Sequence, residues 1–389
     1  MSWNDDIAYA MTPFKFLTLP LGVWPLQKYN TFSLARCFVC GIGMAALAIV
    51  TFFEFNFGSS DAYVKIEDLL CIYANIIGIL KLLTLRLHAE NLTYYFSSAV
   101  NDYLAIDNEE KRIIMRRHAF MGRIICYSLV PLTYLAILFI TLTPMVTHYN
   151  EDIQVNVTIK FHLSELPFPI TFLGHMQIPT GIYFAISTME FLITAVIVAS
   201  NCGNDALFAA IILHICGQME LLKIEFTKYG MTNKNENENF LVLVLRHRFL
   251  MEHAELLSDV ISFVVLTQIL FNCVLISLYG YQLFLAMKVV LIVRTTILLI
   301  VLLLEMFVYT FVGDYLKCQM EEIADSIYSS NWYCLPAKLM RNVLFVIMRS
   351  QQPVQLLAGK FFIVNIKTFM TILRTSLSYF SVLRVMMDA

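Results

Sequence analysis

The most constraining feature of this chain is a succession of apolar runs, each near the ~20 residues that a helix needs to cross a bilayer. Such runs leave one solution for the backbone. In hydrocarbon every N–H and C=O must be satisfied within the segment, so each run reads as a spanning helix. The composition agrees: of 389 residues 59% are hydrophobic and 14% charged, against about 25% charged in an ordinary soluble domain. We expect an all-α, polytopic membrane protein with seven spanning helices. A net charge of −2 carries no nucleic-acid footprint. Asp5, Asp6 and the prolines at 13, 20 and 25 exclude a secretory leader.

The spans read as Arg36–Phe57, Ile66–Leu85, Ile124–Val146, a fourth from Gly181, Leu257–Leu285 and Val289–Val312. The fourth keeps a helical pattern to about Tyr229, too long for one crossing, and its extension from Leu207 to Phe226 needs a partner for its apolar side. An assembly contact is expected there. The seventh region splits into a short helix, Ala337–Arg349, a break at Gln351-Gln352-Pro353, and a final helix from Pro353 to Ala389. Four segments follow: 1–35 as a cytoplasmic N-terminal segment, 36–312 as a six-helix bundle with a long intracellular extension of its fourth helix, 313–352 as a cytoplasmic loop with a short helix, and 353–389 as the final helix.

Lysine and arginine set the orientation. With the N-terminus cytoplasmic, 18 such residues fall inside, among them Lys111, Arg112, Arg116, Arg117 and Arg123, and only Lys65, Lys160 and Lys288 outside. Seven crossings then put the C-terminus outside. The sequon at Asn156 falls in an outside loop, where it can be glycosylated. The one at Asn91 falls inside.

The last 37 residues carry a polar stripe. At about 100° per residue, Thr368, Thr371, Thr375 and Ser378 share one arc. Lys360, Lys367 and Arg374 edge it at heptad spacing, and Val382 ends it. Phe362, Ile366, Phe369, Leu373 and Phe380 lie opposite. A helix facing only lipid has no reason for such a stripe. Water between subunits supplies one, and close helix packing supplies another.

Nine cysteines, mostly within apolar helices, read as packing residues. No HExxH, GxxxxGK[ST] or GxSxG occurs, so no enzyme, metal or cofactor is expected. His247 and His253 read as solvated. Glu190, Glu305, Arg294 and Lys81 fall inside spans, where charge is costly unless paired, and a Glu190–Arg294 contact is the expectation tested below. Lys360 and Lys367 are expected either to be diluted in a mixed assembly or to pair with Asp314, Glu321, Glu322 and Asp325.

Several segments together resemble the insect odorant receptor family. They are Tyr328-Ser329-Ser330-Asn331-Trp332-Tyr333, Arg349-Ser350-Gln351-Gln352-Pro353, Ala358-Gly359-Lys360-Phe361-Phe362, Ser378-Tyr379-Phe380-Ser381-Val382-Leu383-Arg384, and near the start Gly22-Val23-Trp24-Pro25. The resemblance implies a tetrameric, odorant-gated, non-selective cation channel in the plasma membrane of an olfactory dendrite. It also implies a shared coreceptor subunit as partner; the short loop Thr232–Asn239 marks this chain as a tuning subunit. The pore would be lined by Lys367, Thr368, Thr371, Thr375 and Ser378, with Val382 as gate and Ser381 beside it. A volatile ligand would sit in the outer half of the bundle, near Tyr73, Ile76, Ile77, Tyr134, Leu138, Thr141, Tyr183, Phe184 and Ser187. A gustatory relative shares most of these features. A G-protein-coupled receptor would need the opposite orientation.

Overall fold

The computed structural model describes residues 5–106, 108–155, 161–174, 176–228, 236–286 and 288–388. Eleven α-helices carry the described fold: α1 (Asp5–Thr18), α2 (Thr31–Phe57), α3 (Ala62–Leu87), α4 (Ala89–Leu104), α5 (Glu109–Val155), α6 (Thr180–Val198), α7 (Asn204–Lys228), α8 (Glu236–Leu285), α9 (Val289–Tyr328), α10 (Ala337–Ser350) and α11 (Ile366–Asp388). Two small antiparallel hairpins complete it: β1 (Phe161–His162) with β2 (Gln177–Ile178), and β3 (Leu357–Ala358) with β4 (Phe362–Ile363). Six helical stretches among the described residues are long and apolar enough to cross a membrane. The chain is therefore a multi-pass membrane protein. Phe38, Val39, Ile42, Ile49 and Phe52 of α2 lie exposed, as lipid-facing residues must.

Two ends of the bundle differ. At the loop end, residues 161–178 fold back between α2 and α6. Glu54 of α2 accepts from Thr171 N at 2.7 Å and Phe172 N at 3.3 Å, and Glu190 of α6 accepts from Phe168 N at 3.3 Å. Two carboxylates thus hold a loop whose backbone would otherwise lack partners. At the helical end, α1 and α4 pack beside α5 and α7. Trp24 is buried and meets Phe96 of α4 edge-on, centroids 5.9 Å apart. Gly22 has φ +74°, and a Cβ there would lie 2.3 Å from Ser33 O. That is why this entry turn carries glycine.

The long fourth segment is confirmed as a 49-residue stretch, Thr180–Lys228, about 74 Å at 1.5 Å per residue. It is interrupted by a π-helical turn, Ala199–Gly203. Ser200 donates there to Gly78 O at 2.7 Å, and α3 can approach this closely because a Cβ on Gly78 would already meet Met44 Sδ at 3.1 Å. Beyond the turn, α7 has 18 of its 25 residues buried. Its apolar sides are covered by α1, α4, α5, α8 and α9 of the same chain. The extension is the axis of this end of the molecule, and most of the apolar surface that the sequence left without a partner is covered within the chain. The basic cluster on α5 is likewise engaged: Arg112 and Arg116 on Asp6, Arg117 on Glu220, Lys111 on Glu225.

The seventh region departs from the expected single helix after Pro353. The helix begins only at Ile366. Before it, β3 and β4 turn at Gly359 and Lys360, with φ of +61° and +67°. The hairpin is clipped to α8: Leu357 N donates to Ser258 Oγ at 3.1 Å, Gly359 N to Ser262 O at 3.0 Å, and Lys360 N to Ser262 Oγ at 3.1 Å. Lys360 therefore lies off the helical stripe. Asp314 of α9 accepts from Ile366 N at 2.9 Å, and Asn365 from Thr368 N at 2.8 Å, capping the first turn of α11.

Candidate functional site

A cavity of about 180 Å³ opens between α3, α5, α6, α8 and α9, beneath the loop that carries Phe168. Its walls are apolar: Leu70, Ile77, Ile137, Ile140, Phe168, Ile197, Val198, Leu275, Val301 and Leu302. Polar groups gather at two levels. Toward the loop end, Glu67 lines the cavity and pairs with Arg294 at 2.8 Å, while Tyr63 OH accepts from Arg294 at 2.9 Å. The Arg294 partner is thus Glu67, one turn into α3, and not Glu190, which is taken by Phe168 N. At the floor, where the π turn widens the helix, Asn201, Cys202, Gln268 and Glu305 meet. Cys202 Sγ donates to Glu305 Oε1 at 3.1 Å, and Gln268 Nε2 to Glu305 Oε2 at 3.3 Å. Behind the floor, Lys81 Nζ lies 2.6 Å from Asp205 Oδ1, which also accepts from Tyr309 OH at 2.6 Å. Four elements from distant parts of the chain are tied at this level.

Of the nine residues named from the sequence as ligand neighbours, Tyr73 and Ile77 line the cavity. Ile76 faces outward, 48% exposed. On α5 the lining residues are Thr133, Ile137 and Ile140. They have the same spacing as Tyr134, Leu138 and Thr141 but sit one residue earlier, a rotation of about 100°. Tyr134 OH donates to Ala195 O at 3.2 Å behind the wall, Leu138 is exposed and Thr141 is buried on Ile137 O. On α6 the lining is Thr194, Ile197 and Val198, three turns deeper than Tyr183, Phe184 and Ser187. Tyr183 stacks on Phe161 at 4.0 Å and donates to Glu165 O at 3.1 Å, so it braces the loop. Phe184 is exposed and Ser187 fully buried. The sequence reading omitted α8, whose Gln268, Leu275, Tyr279 and Gln282 form one wall. The available signal was glutamine inside an apolar helix.

The stripe on α11 is real as a surface. Lys367, Thr371, Arg374, Ser378, Ser381 and Val382 are exposed, and Thr368 and Thr375 partly so. Thr371 and Thr375 return their hydroxyls to carbonyls of their own helix, Lys367 O at 3.0 Å and Thr371 O at 2.9 Å. The opposite face is fixed: Ser376 donates to Cys273 O at 3.0 Å, Ser277 of α8 donates to Ser376 O at 2.9 Å, and Phe369 packs on Phe307 of α9 at 5.8 Å. A Cβ on Gly280 would lie 3.1 Å from the Phe380 ring. Among the described residues, neither Lys360 nor Lys367 pairs with an acidic residue of α9. Asp314 caps α11, Glu321 pairs with Lys317 at 3.7 Å, and Glu322 pairs with Lys223. His247 and His253, expected in solvent, are 4% and 8% exposed; His253 is sandwiched by Phe249 at 3.8 Å and Tyr95 at 4.9 Å. The Asn156 sequon lies outside the described residues.

Comparison with known proteins gives three findings. The family model described as 7tm Odorant receptor matches residues 65–377. Among curated proteins, Odorant receptor 13a of Drosophila melanogaster is 23% identical, over 96% of each chain, and Odorant receptor 9a of the same fly is 34% identical over 21% of each. Among solved structures, the olfactory receptor OR5 from Machilis hrabei superposes with a TM-score of 0.80 at 14% identity, covering 98% of this chain and 99% of that one. The same receptor in complex with eugenol superposes with a TM-score of 0.77.

Proposed function

The chain belongs to the odorant receptor family, and on that premise we propose that it is an odorant-gated, non-selective cation-channel subunit. A small volatile molecule binds in the central cavity, and α11 lines a pore shared with other subunits. Cavities of this kind, apolar with a few convergent polar groups, suit such ligands.

One observation carries the channel reading. The polar arc of α11 is left uncovered by its own chain, while the other side is fastened to α8 and α9. A hydroxyl and cation face on a membrane helix needs water or a partner; copies of α11 around a central axis provide water. In this reading Val382 forms the constriction, with Ser381 beside it. The exposed apolar side of α10 (Leu344, Phe345, Met348) and the nearby ends of α8 and α9 form the intracellular meeting place of subunits. The partner is the shared coreceptor subunit. The N-terminus is cytoplasmic, Asn156 is extracellular and open to glycosylation, and the site of action is the plasma membrane of an olfactory dendrite. Parallel packing of α11 on α8, in which Ser376 meets Cys273 and Phe380 meets Gly280, supports a C-terminus at the loop end, opposite α1.

Whole-cell current tests the proposal, in cells expressing this chain alone, the coreceptor alone, and both. A panel of volatiles is applied with GDP-β-S in the pipette. A rapid inward cation current confined to the double transfectant is expected. A current abolished by the nucleotide would overturn the channel reading.

A further inference from the structure

Hydrogen bonds at the cavity floor leave a one-sided remainder. Asn201 spends both amide hydrogens, on Ala74 O at 3.0 Å and Ile197 O at 3.1 Å. Its Oδ1 is buried without a partner among the described residues. Gln268, 3% exposed, gives its nitrogen to Glu305 Oε2 at 3.3 Å, and its Oε1 is also buried and unpartnered among them. The neighbours fix both amide orientations, because backbone carbonyls and a carboxylate only accept. The donors at this level are used: the Cys202 thiol on Glu305, the Thr133 hydroxyl on Leu129 O at 2.7 Å, and Lys81 on Asp205 behind the floor. Among the lining residues at this level, the atoms left over are two amide oxygens, Asn201 Oδ1 and Gln268 Oε1. Of the other lining groups able to donate, Tyr73 gives its hydroxyl to Asn272 Oδ1 at 3.5 Å, and Tyr279 and Gln282 stand three to four turns further along α8, toward the loop end.

Resting on the reading of this cavity as the ligand seat, we propose that it selects small apolar molecules carrying a hydrogen-bond donor, a hydroxyl or an amine. That donor end goes in first, and Gln268 and Asn201 are the residues that choose it. A donor satisfies oxygens that are otherwise buried dry. An ether of the same size brings a further acceptor against them, and a hydrocarbon leaves them unpaired. Sites built around a ligand O–H or N–H reject the analogue lacking it for this reason. The expected discrimination is about tenfold or more in affinity, the scale of one unmatched buried polar group.

The test uses the full-length chain, purified in detergent, with tritiated octanol as probe. Octylamine, heptyl methyl ether and nonane compete. Octanol and octylamine are expected to bind at least about tenfold tighter than the isosteric ether. Gln268→Leu removes one of the two acceptors and should lower that ratio several-fold, with saturable binding of the ether to the variant showing that the cavity is still formed. Equal affinities in the unsubstituted chain, a ratio that survives Gln268→Leu, or no saturable octanol binding would each overturn the inference. Currents recorded with the coreceptor report on the channel reading separately. Donor-selective binding without current leaves the selectivity standing and removes the channel; current with no octanol preference does the reverse.

Discussion

Lys81 and Asp205 meet at 2.6 Å with side chains 1% and 0% exposed. Losing one member of such a pair strands the other charge in low dielectric. We expect Lys81→Met to cost about 3–5 kcal/mol, read as a lowered melting temperature of the solubilised receptor. Adding Asp205→Asn, whose carbonyl can still accept from Tyr309, should restore most of the loss. A second residue sets a pH limit. Asp102 on α4 lies 2.6 Å from Arg246 and 3.1 Å from His214. Burial alone would push its carboxyl up, but the hydrogen bonds and charges of His214 and Arg246 outweigh this and hold it below its ordinary value of 3.8. Its stabilisation is then complete above that ordinary value and is lost as pH falls toward the lowered one. Melting temperatures of the native chain and Asp102→Asn should differ at neutral pH and converge below about pH 4; a constant gap would refute the assignment. At this scale the sequence told only half. It marked Lys81, Glu190, Arg294 and Glu305 as charges needing company. For Lys81 and Arg294 the company comes from more than a hundred residues away (Asp205 and Glu67), and periodicity holds no information at that range.

Among the elements, the hairpin ahead of α11 is the joint that the sequence reading overlooked. The chain passes so close to α9 that a Cβ on Gly313 would lie 2.3 Å from Val364 O. Gly313→Ala must displace either the hairpin or α9, at a cost of about 1–3 kcal/mol for such overpacking. The expected outcome is a receptor that still reaches the surface, measured by biotinylation, with ligand-evoked current reduced several-fold. Unaltered current at equal surface density would show that the joint tolerates the shift. Pro353 announced a break, yet nothing in the local pattern separated a hairpin from a helix restart, because the deciding hydrogen bonds come from Ser258 and Ser262 of α8. Period survived where phase did not. The α5 wall shows the spacing expected from the sequence, one residue out of register, since a lone helix does not reveal which side its neighbours will occupy.

For the whole molecule, class and span order were legible because hydrocarbon admits so few backbones; six of the stretches are plain in the described structure. Lys367 tests the assembled state. It is exposed at the start of the uncovered arc of α11, and Lys367→Glu should shift the reversal potential under bi-ionic conditions toward the more permeant cation. Unchanged potentials would put this side chain outside the ion path. Helix α8 reaches furthest through the fold. One rod carries Ser258 and Ser262 under the hairpin, Gln268 at the cavity floor, and Ser277 on α11. Gln268 and Ser277 are separated by about 13 Å along the axis. In evolutionary terms this chain has unequal freedoms. On the proposed function, a substitution on the cavity side of α8 would alter both what is detected and how readily the resting receptor fires, so selection must accept both changes or neither. Helices α3 and α6 meet the cavity while α11 packs chiefly on α8 and α9; on the same proposed function, preference for a new volatile can drift there while spontaneous activity stays silent.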